Sequence, residues 1–307
     1  MTRPPVHQHR IDAGSAALLL ALAAIWGATF LFAEIALREV PPLTITLHRV
    51  VWALPVLALV VRLRGIAVPW SPRLWGGWLV MGALNNAIPF SLIFWGQTRI
   101  EAGLASILNA TTAMTGAVVA GLLLADERLT RRKVLGAALG LAGVGIIMGP
   151  GALLALDPVN LAQLAVLAAG LSYAFAGVWG RTALAGQPPL LNALGMLAGS
   201  AVLMGPAALI VDGPPVLALS LSTWGALAGL SVLCTALAYG LYFAILARAG
   251  AANLLLVTLL IPPFAIALGA LVLGERMAPE ASAGFAVIAL GLLVTDGRLL
   301  RGLSRQS

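Results

Sequence analysis

Ten apolar runs separated by short polar joints account for nearly the whole chain. They fall near residues 15–37, 43–61, 74–95, 101–125, 134–149, 159–180, 190–211, 223–246, 252–273 and 281–297. Most reach about 18 residues or more, the length that carries a helix across a hydrocarbon core of roughly 30 Å. The pattern predicts an all-α membrane protein of ten transmembrane helices, with joints too short for any soluble domain. The first run, Ser15 to Leu37, is longer than the core of a signal peptide (about 7–15 residues) and is expected to persist as the first helix.

The runs repeat. Ala125-Asp126-Glu127-Arg128-Leu129-Thr130 is echoed by Leu273-Gly274-Glu275-Arg276-Met277-Ala278, 148 residues later. At the same offset Gly136 maps to Gly284 and Gly143 to Gly291. A Glu-Arg joint between membrane-length runs, repeated at half the chain length, implies a duplicated helical unit. The expected organisation is a tail (1–14), a first five-helix repeat (15–149), a second repeat (150–297) and a closing tail (298–307). An odd number of helices per repeat makes the second copy inverted relative to the first. Inverted repeats are the architecture of many transporters, with a site near the midplane and access that alternates.

Charge sets the expected orientation. Arg3, Arg10, Arg62, Arg64, Arg73, Arg128, Arg131, Arg132, Lys133, Arg181, Arg248, Arg298, Arg301 and Arg305 share one side of this plan, and only Arg38, Arg99 and Arg276 the other. By the positive-inside rule both termini are cytoplasmic. Composition agrees with burial in lipid: 61% of the 307 residues are hydrophobic and 9% charged, with a mean hydropathy of +1.01. That leaves too little polar surface for a soluble globule. The single Cys234 excludes a disulfide framework and a cysteine metal site, and no cofactor or nucleic-acid partner is expected.

With these residues in place, the chain resembles the ten-helix EamA exporters of the drug/metabolite transporter superfamily over nearly its whole length. The resemblance rests on Ile25-Trp26-Gly27, His48-Arg49, Pro89-Phe90 through Phe94-Trp95, Ala102-Gly103-Leu104-Ala105-Ser106 through Asn109-Ala110-Thr111-Thr112, and Glu127-Arg128-Leu129-Thr130. Thr235-Ala236-Leu237-Ala238-Tyr239, Pro262 and Gly274-Glu275-Arg276 continue it in the second half. It implies export of small metabolites across a bacterial-type inner membrane, often amino acids or their analogues and in some members aromatic ones. The chain departs from the family in lacking a proline near Met114 and in carrying Ile261 where an acidic residue often precedes the ninth-helix proline.

Candidate site residues follow from depth and polarity. Asn85 and Asn86 lie in the middle of the third helix, where their amides need partners from a neighbouring helix or a substrate. Adjacent positions do not share a helix face, so at most one is expected to point inward. His48 and Arg49 lie about six residues into the second helix, roughly 9 Å deep. Arg49 is read as a cavity cation that attracts a carboxylate, against an interfacial anchor or a pair with Glu34. His48 is a hydrogen-bonding residue or a relay. Trp26, Tyr173 and Tyr239 lie deep enough to line a cavity, whereas Trp95 and Trp179 suit the interfacial belt. Pro89, Pro262 and Pro263 interrupt the backbone ladder and serve either as fixed kinks or as hinges. The Gly-rich fifth and tenth helices are assigned to close packing. Glu127 and Glu275 are read as structural, capping the next helix or pairing with the adjacent Arg.

These residues suit an exporter of small amphipathic metabolites, amino acids above all, working by facilitated or weakly coupled alternating access. Glu34 and His48 are the candidates for coupling or gating, because every other carboxylate sits in a joint or near a helix end. The alternatives are a proton-coupled multidrug or cation pump and, more remotely, an intramembrane enzyme. The latter would need a nucleophile and base at one depth, and no HExxH or GxSxG pattern occurs. Two repeats in one chain make a monomer sufficient, with a dimer left open.

Overall fold

The computed structural model of the protein describes residues 12–149, 157–254 and 256–296, with only the backbone described at 251–253. The terminal tails with Arg3, Arg10, Arg298, Arg301 and Arg305, and the expected repeat boundary at 150, lie outside the described residues. Those residues form ten helical segments: α1 (Ala13–Leu37), α2 (Pro42–Leu63), α3 (Pro72–Gln97), α4 (Ala102–Leu123), α5 (Arg131–Met148), α6 (Pro158–Thr182), α7 (Pro189–Val211), α8 (Leu221–Gly250), α9 (Val257–Leu273) and α10 (Pro279–Asp296). Eight are long and apolar enough to cross a membrane; α9 is a shorter apolar helix. α5 opens on Arg131-Arg132-Lys133, so its apolar stretch is shorter than its helix.

Most ends have local causes. Asp12, Thr130, Asp157 and Ser220 accept a backbone N–H from the first turn of α1, α5, α6 and α8, which satisfies donors the helix cannot use itself. Pro stands in the first turn of α2, α3, α6 and α7, where its missing N–H costs nothing. α9 begins several residues later than the sequence pattern suggests. Gly250, at φ 79°, breaks the helical path after α8, and an apolar pattern cannot reveal a turn made of apolar residues.

The two repeats pack with one symmetry. α1 lies against α8 and α9, and α6, its counterpart, lies against α3 and α4. α2 with α7, α4 with α9 and α5 with α10 are each self-paired across the halves. The α5–α10 seam gives the sense of the symmetry. A Cβ added at Gly143 would lie 2.7 Å from the carbonyl oxygen of Gly284, and one at Gly136 2.6 Å from that of Gly291. Pairing 136 with 291 and 143 with 284 requires antiparallel helices, so the repeats are inverted. The missing side chains let the two backbones touch, the packing expected of small residues in membranes.

One end of the bundle joins the starts of α2, α4 and α8. There Asp212 accepts from the backbone N–H and hydroxyl of Thr44, at 2.7 and 2.9 Å. Glu39 accepts from the Ser220 backbone and from Thr223, at 2.8 Å each. The Ser220 hydroxyl, which also donates to this carboxylate, and then the Ser220 N–H and the Thr223 hydroxyl hold the Glu39 carboxyl below the ordinary carboxylate range. The opposite end carries Arg62, Arg64, Arg73, Arg128, Arg131, Arg132, Lys133, Arg181 and Arg248. Among the described residues only Arg38, Arg99 and Arg276 sit at the first end. Between the ends the outer surface is apolar, with Leu122, Leu141, Val202, Ile210 and Leu271 largely exposed. That belt makes the chain a multi-pass membrane protein.

Candidate functional site

α3 and α8 occupy equivalent places in the two repeats, and both widen from α to π geometry at mid-helix, at Ala83–Ala87 and Gly229–Leu237. Such wide turns inside helices are frequent at functional sites. In α3 the cause is Pro89. In the wide register its missing N–H would have met the carbonyl of Leu84, and that oxygen instead accepts from the Ser172 hydroxyl of α6 at 2.7 Å. α8 has no proline; its hydroxyls serve the ladder. Ser231 donates to Leu227 O and Thr235 to Leu230 O, at 2.7 and 2.8 Å.

Arg49 lies between these two wide turns. It is 6% exposed, and its Nε donates to Thr235 Oγ1 at 3.0 Å. Its Cζ stands 3.8 Å from the centre of the Phe90 ring and 5.9 Å from that of Phe94. The ring faces attract the cation through their quadrupole, but they are neutral. The ionisable groups acting on Arg49 are Tyr173, Cys234 and Tyr239. Among the described residues no acceptor takes its Nη hydrogens and no carboxylate pairs with it. A buried charge so lightly compensated is expensive.

The structure brings Arg49, Asn85, Tyr173 and Tyr239 together. Asn85 lies near the Tyr239 phenol and donates to Asn86 Oδ1 at 3.3 Å. Asn86 turns away and donates to Ser200 of α7 at 3.0 Å; it joins helices and is fully buried. Trp26 packs against the same core as Tyr239, its ring 6.1 Å from that of Tyr242.

His48 is not in this group. One residue from Arg49, it points about 100° around the helix. Its Nδ1 accepts from Trp52 Nε1 at 2.8 Å, and its ring meets the edge of Trp224 at 6.0 Å. Its Nε2 is buried with no partner. Glu34 is also apart. Its Oε2 accepts from Gln97 Nε2 at 3.4 Å, and the charges acting on it are Glu275, Arg38 and Glu101. Gln97 also donates to Phe30 O at 2.9 Å, while its Oε1 is buried and unpartnered. Burial and then the neighbouring Glu275 carboxylate push the Glu101 carboxyl above its ordinary range. A cleft of about 250 Å³ opens at that end, lined by Arg99, Glu101, Ile266, Glu275 and Arg276 among others; Arg49 is not part of it.

The two repeated glutamates differ from each other. Glu275 caps α4, a helix of the other repeat, accepting from the N–H groups of Ala102 and Gly103 at 2.9 and 3.1 Å. Gly269 makes room, since a Cβ there would collide with the carboxylate. Glu127 caps nothing; it pairs with Lys133 at 2.8 Å and Arg181 at 2.9 Å rather than with Arg128. Those cations hold its carboxyl below the ordinary range. Pro262 and Pro263 lie inside a continuous α9, as do Pro55 in α2 and Pro206 in α7. Thr235 and the Phe90 ring are the contacts of Arg49 that sequence reasoning did not pair with it. The only local signal was the presence of a hydroxyl and an aromatic at mid-helix depth.

The chain is 27% identical to a probable amino-acid metabolite efflux pump of Salmonella typhimurium, over 90% of this chain and 93% of that one. It is 27% identical to an uncharacterised transporter of Archaeoglobus fulgidus, over 92% and 97%. A third match, to the protein PagO of Salmonella typhimurium, is also 27% identical but spans only 43% of each chain. A solved crystal structure superposes with a TM-score of 0.67 over 94% of this chain and 98% of its own, at 19% identity, a likeness of fold. The model of the EamA-like transporter family matches twice, at residues 14–149 and 160–295, once on each five-helix repeat. The chain belongs to the EamA-like transporter family.

Proposed function

We propose that the protein exports small amphipathic metabolites bearing a carboxylate, drawn from amino acids and their analogues, by alternating access between its inverted repeats. The observation that carries this reading is Arg49: a buried guanidinium at mid-bundle, held by Thr235 and Phe90, with no protein carboxylate opposite. A substrate carboxylate would complete the pair, Asn85, Tyr173 and Tyr239 would receive its polar atoms, and Trp26 with the Phe90–Phe94 pair would receive its apolar part. The Salmonella relative, named a probable amino-acid metabolite efflux pump, supports the substrate class.

The basic end of the bundle is the cytoplasmic end in this reading, by the positive-inside rule, and the membrane is a bacterial-type inner membrane. Pro89, with the wide turn it causes, and Pro262-Pro263 are the hinges. One chain holds both repeats, so a monomer suffices. No covalent chemistry is involved.

Proton coupling through Glu34 is the second reading. It is favoured by the unpartnered Gln97 Oε1 beside that carboxylate, because a protonated Glu34 would have a hydrogen to give it.

The test is counterflow in proteoliposomes loaded in turn with each of the twenty amino acids and their 2-oxo and N-acyl analogues, with and without a proton gradient. Flux of a subset that Arg49→Gln abolishes supports the site. Equal flux in the variant removes Arg49 from it. Dependence on the gradient that is lost in Glu34→Gln supports the second reading.

A further inference from the structure

The charge inventory around Arg49 bears on which carboxylates the site takes. All eleven Asp and Glu residues of the chain lie within the described residues, and none forms an ion pair or hydrogen bond with Arg49, whose contacts are Thr235 and the Phe90 ring. Glu34, the deepest of them, faces Arg38, Glu101 and Glu275. Asp212 and Glu39 are spent on Thr44, Ser220 and Thr223 at the bundle end. What touches Arg49 is the Thr235 hydroxyl and the Phe90 ring, both neutral, and the ionisable groups nearest in influence are phenols and a thiol, neutral at neutral pH.

An amino acid brings both charges into such a site. Its carboxylate neutralises Arg49, but its ammonium then lies within a few ångströms of the guanidinium and has no carboxylate of its own. The occupied site keeps a net charge of +1, and the ammonium must give up water for hydroxyl and amide partners. A monocarboxylate without the amine leaves the occupied site neutral, and its remaining carbonyl can accept from Asn85 or a tyrosine. Low surrounding polarity enlarges this difference rather than damping it.

We infer that the site selects monoanionic carboxylates that lack an ammonium group, such as 2-oxo acids and N-acylated amino acids, over the corresponding zwitterions. The inference rests on the reading of Arg49 as the carboxylate anchor. It also accounts for a transport path with no carboxylate beside Arg49. An anion leaving a compartment that is electrically negative inside moves with the field, so export needs no coupled cation and carries charge.

The experiment is counterflow with matched probes in proteoliposomes containing the full chain: phenylpyruvate against phenylalanine, and 4-methyl-2-oxopentanoate against leucine. Phenethylamine serves as the cation lacking a carboxylate. The expected result is at least tenfold greater flux of each 2-oxo acid than of its amino acid, and none of phenethylamine. A valinomycin-imposed potential, negative inside, should speed efflux of the oxo acids. Amino-acid flux equal to or above that of the oxo acids, yet abolished by Arg49→Gln, overturns this inference and leaves the anchor standing. Flux insensitive to Arg49→Gln, or no flux of any probe, overturns both.

Discussion

Arg49 on the second helix and Thr235 on the eighth are 186 residues apart in sequence and joined by a single hydrogen bond of 3.0 Å. The bond aims the guanidinium. Thr235 gives its own hydrogen to Leu230 O inside the wide turn of α8, so its oxygen is free to accept from Nε. Backbone geometry on one repeat thereby fixes a cation on the other. Thr235→Val should keep the fold and weaken substrate binding. A hydrogen bond to a charged group contributes about 1.5–3 kcal/mol, so apparent affinity should fall roughly tenfold or more at unchanged membrane level. Binding titrations or transport KM would measure it, and an unchanged KM would separate Thr235 from the site.

Arg49→Lys should retain partial transport and Arg49→Gln should lose most of it at equal expression. Lysine keeps the charge but not the planar fork; glutamine keeps neither. Counterflow rates at matched protein content are the readout, and equal rates for all three forms would refute the assignment.

Tyr239→Ala should change which compounds are exported, whereas Tyr239→Phe should change mainly those that use the phenol as a donor or acceptor. A substrate panel run on both variants separates these effects. Loss of folded protein in both would make Tyr239 a packing residue.

Glu275→Ala should lower the thermal stability of the purified protein by about 1–2 kcal/mol, the usual range for losing a helix cap, because two N–H groups of α4 lose their acceptor. Glu127→Ala should cost less, since its partners are surface cations and exposed ion pairs contribute little. Gly143→Ala should also destabilise, by roughly 1–3 kcal/mol for overpacking, while Gly145→Ala, with open space around it, should be neutral. Melting curves of the four variants in one detergent give the ranking.

Glu127 and Glu101 contribute to the pH dependence of stability with opposite signs. Glu127 titrates below its ordinary value of 4.5 in the folded protein, so its contribution is present above that pH and is lost as pH falls below it. Glu101 titrates above 4.5, so its ionisation opposes folding as pH rises through that raised value. Glu101→Gln should therefore raise the melting temperature at neutral pH, with the gap closing towards pH 4.5. A gap that stays constant or widens on acidification would contradict this sign.

Much of the architecture was legible in the chain because lipid imposes it locally. A span must be about twenty apolar residues, and each helix must satisfy its own backbone, so ten runs read as ten helices. The duplication showed in the Glu127 and Glu275 joints and in glycines at matching offsets, which reappear as the antiparallel α5–α10 seam. Arg49, Asn85, Tyr173 and Tyr239, which the structure draws together, also stood out in the chain as polar groups within apolar runs. Tertiary structure decided the rest. It turned His48 towards Trp52 and Trp224 while Arg49 faced inward, because neighbours on a helix diverge by about 100° and sequence does not say which face meets the centre. It gave Glu275 to a helix of the other repeat and Glu127 to two cations, although the two joints read alike. It set Thr235 and Phe90 against Arg49, a pairing across the two repeats for which no local pattern exists. Hydrophobic length is a property of each segment alone, whereas a partner for a buried charge is a property of how the segments meet.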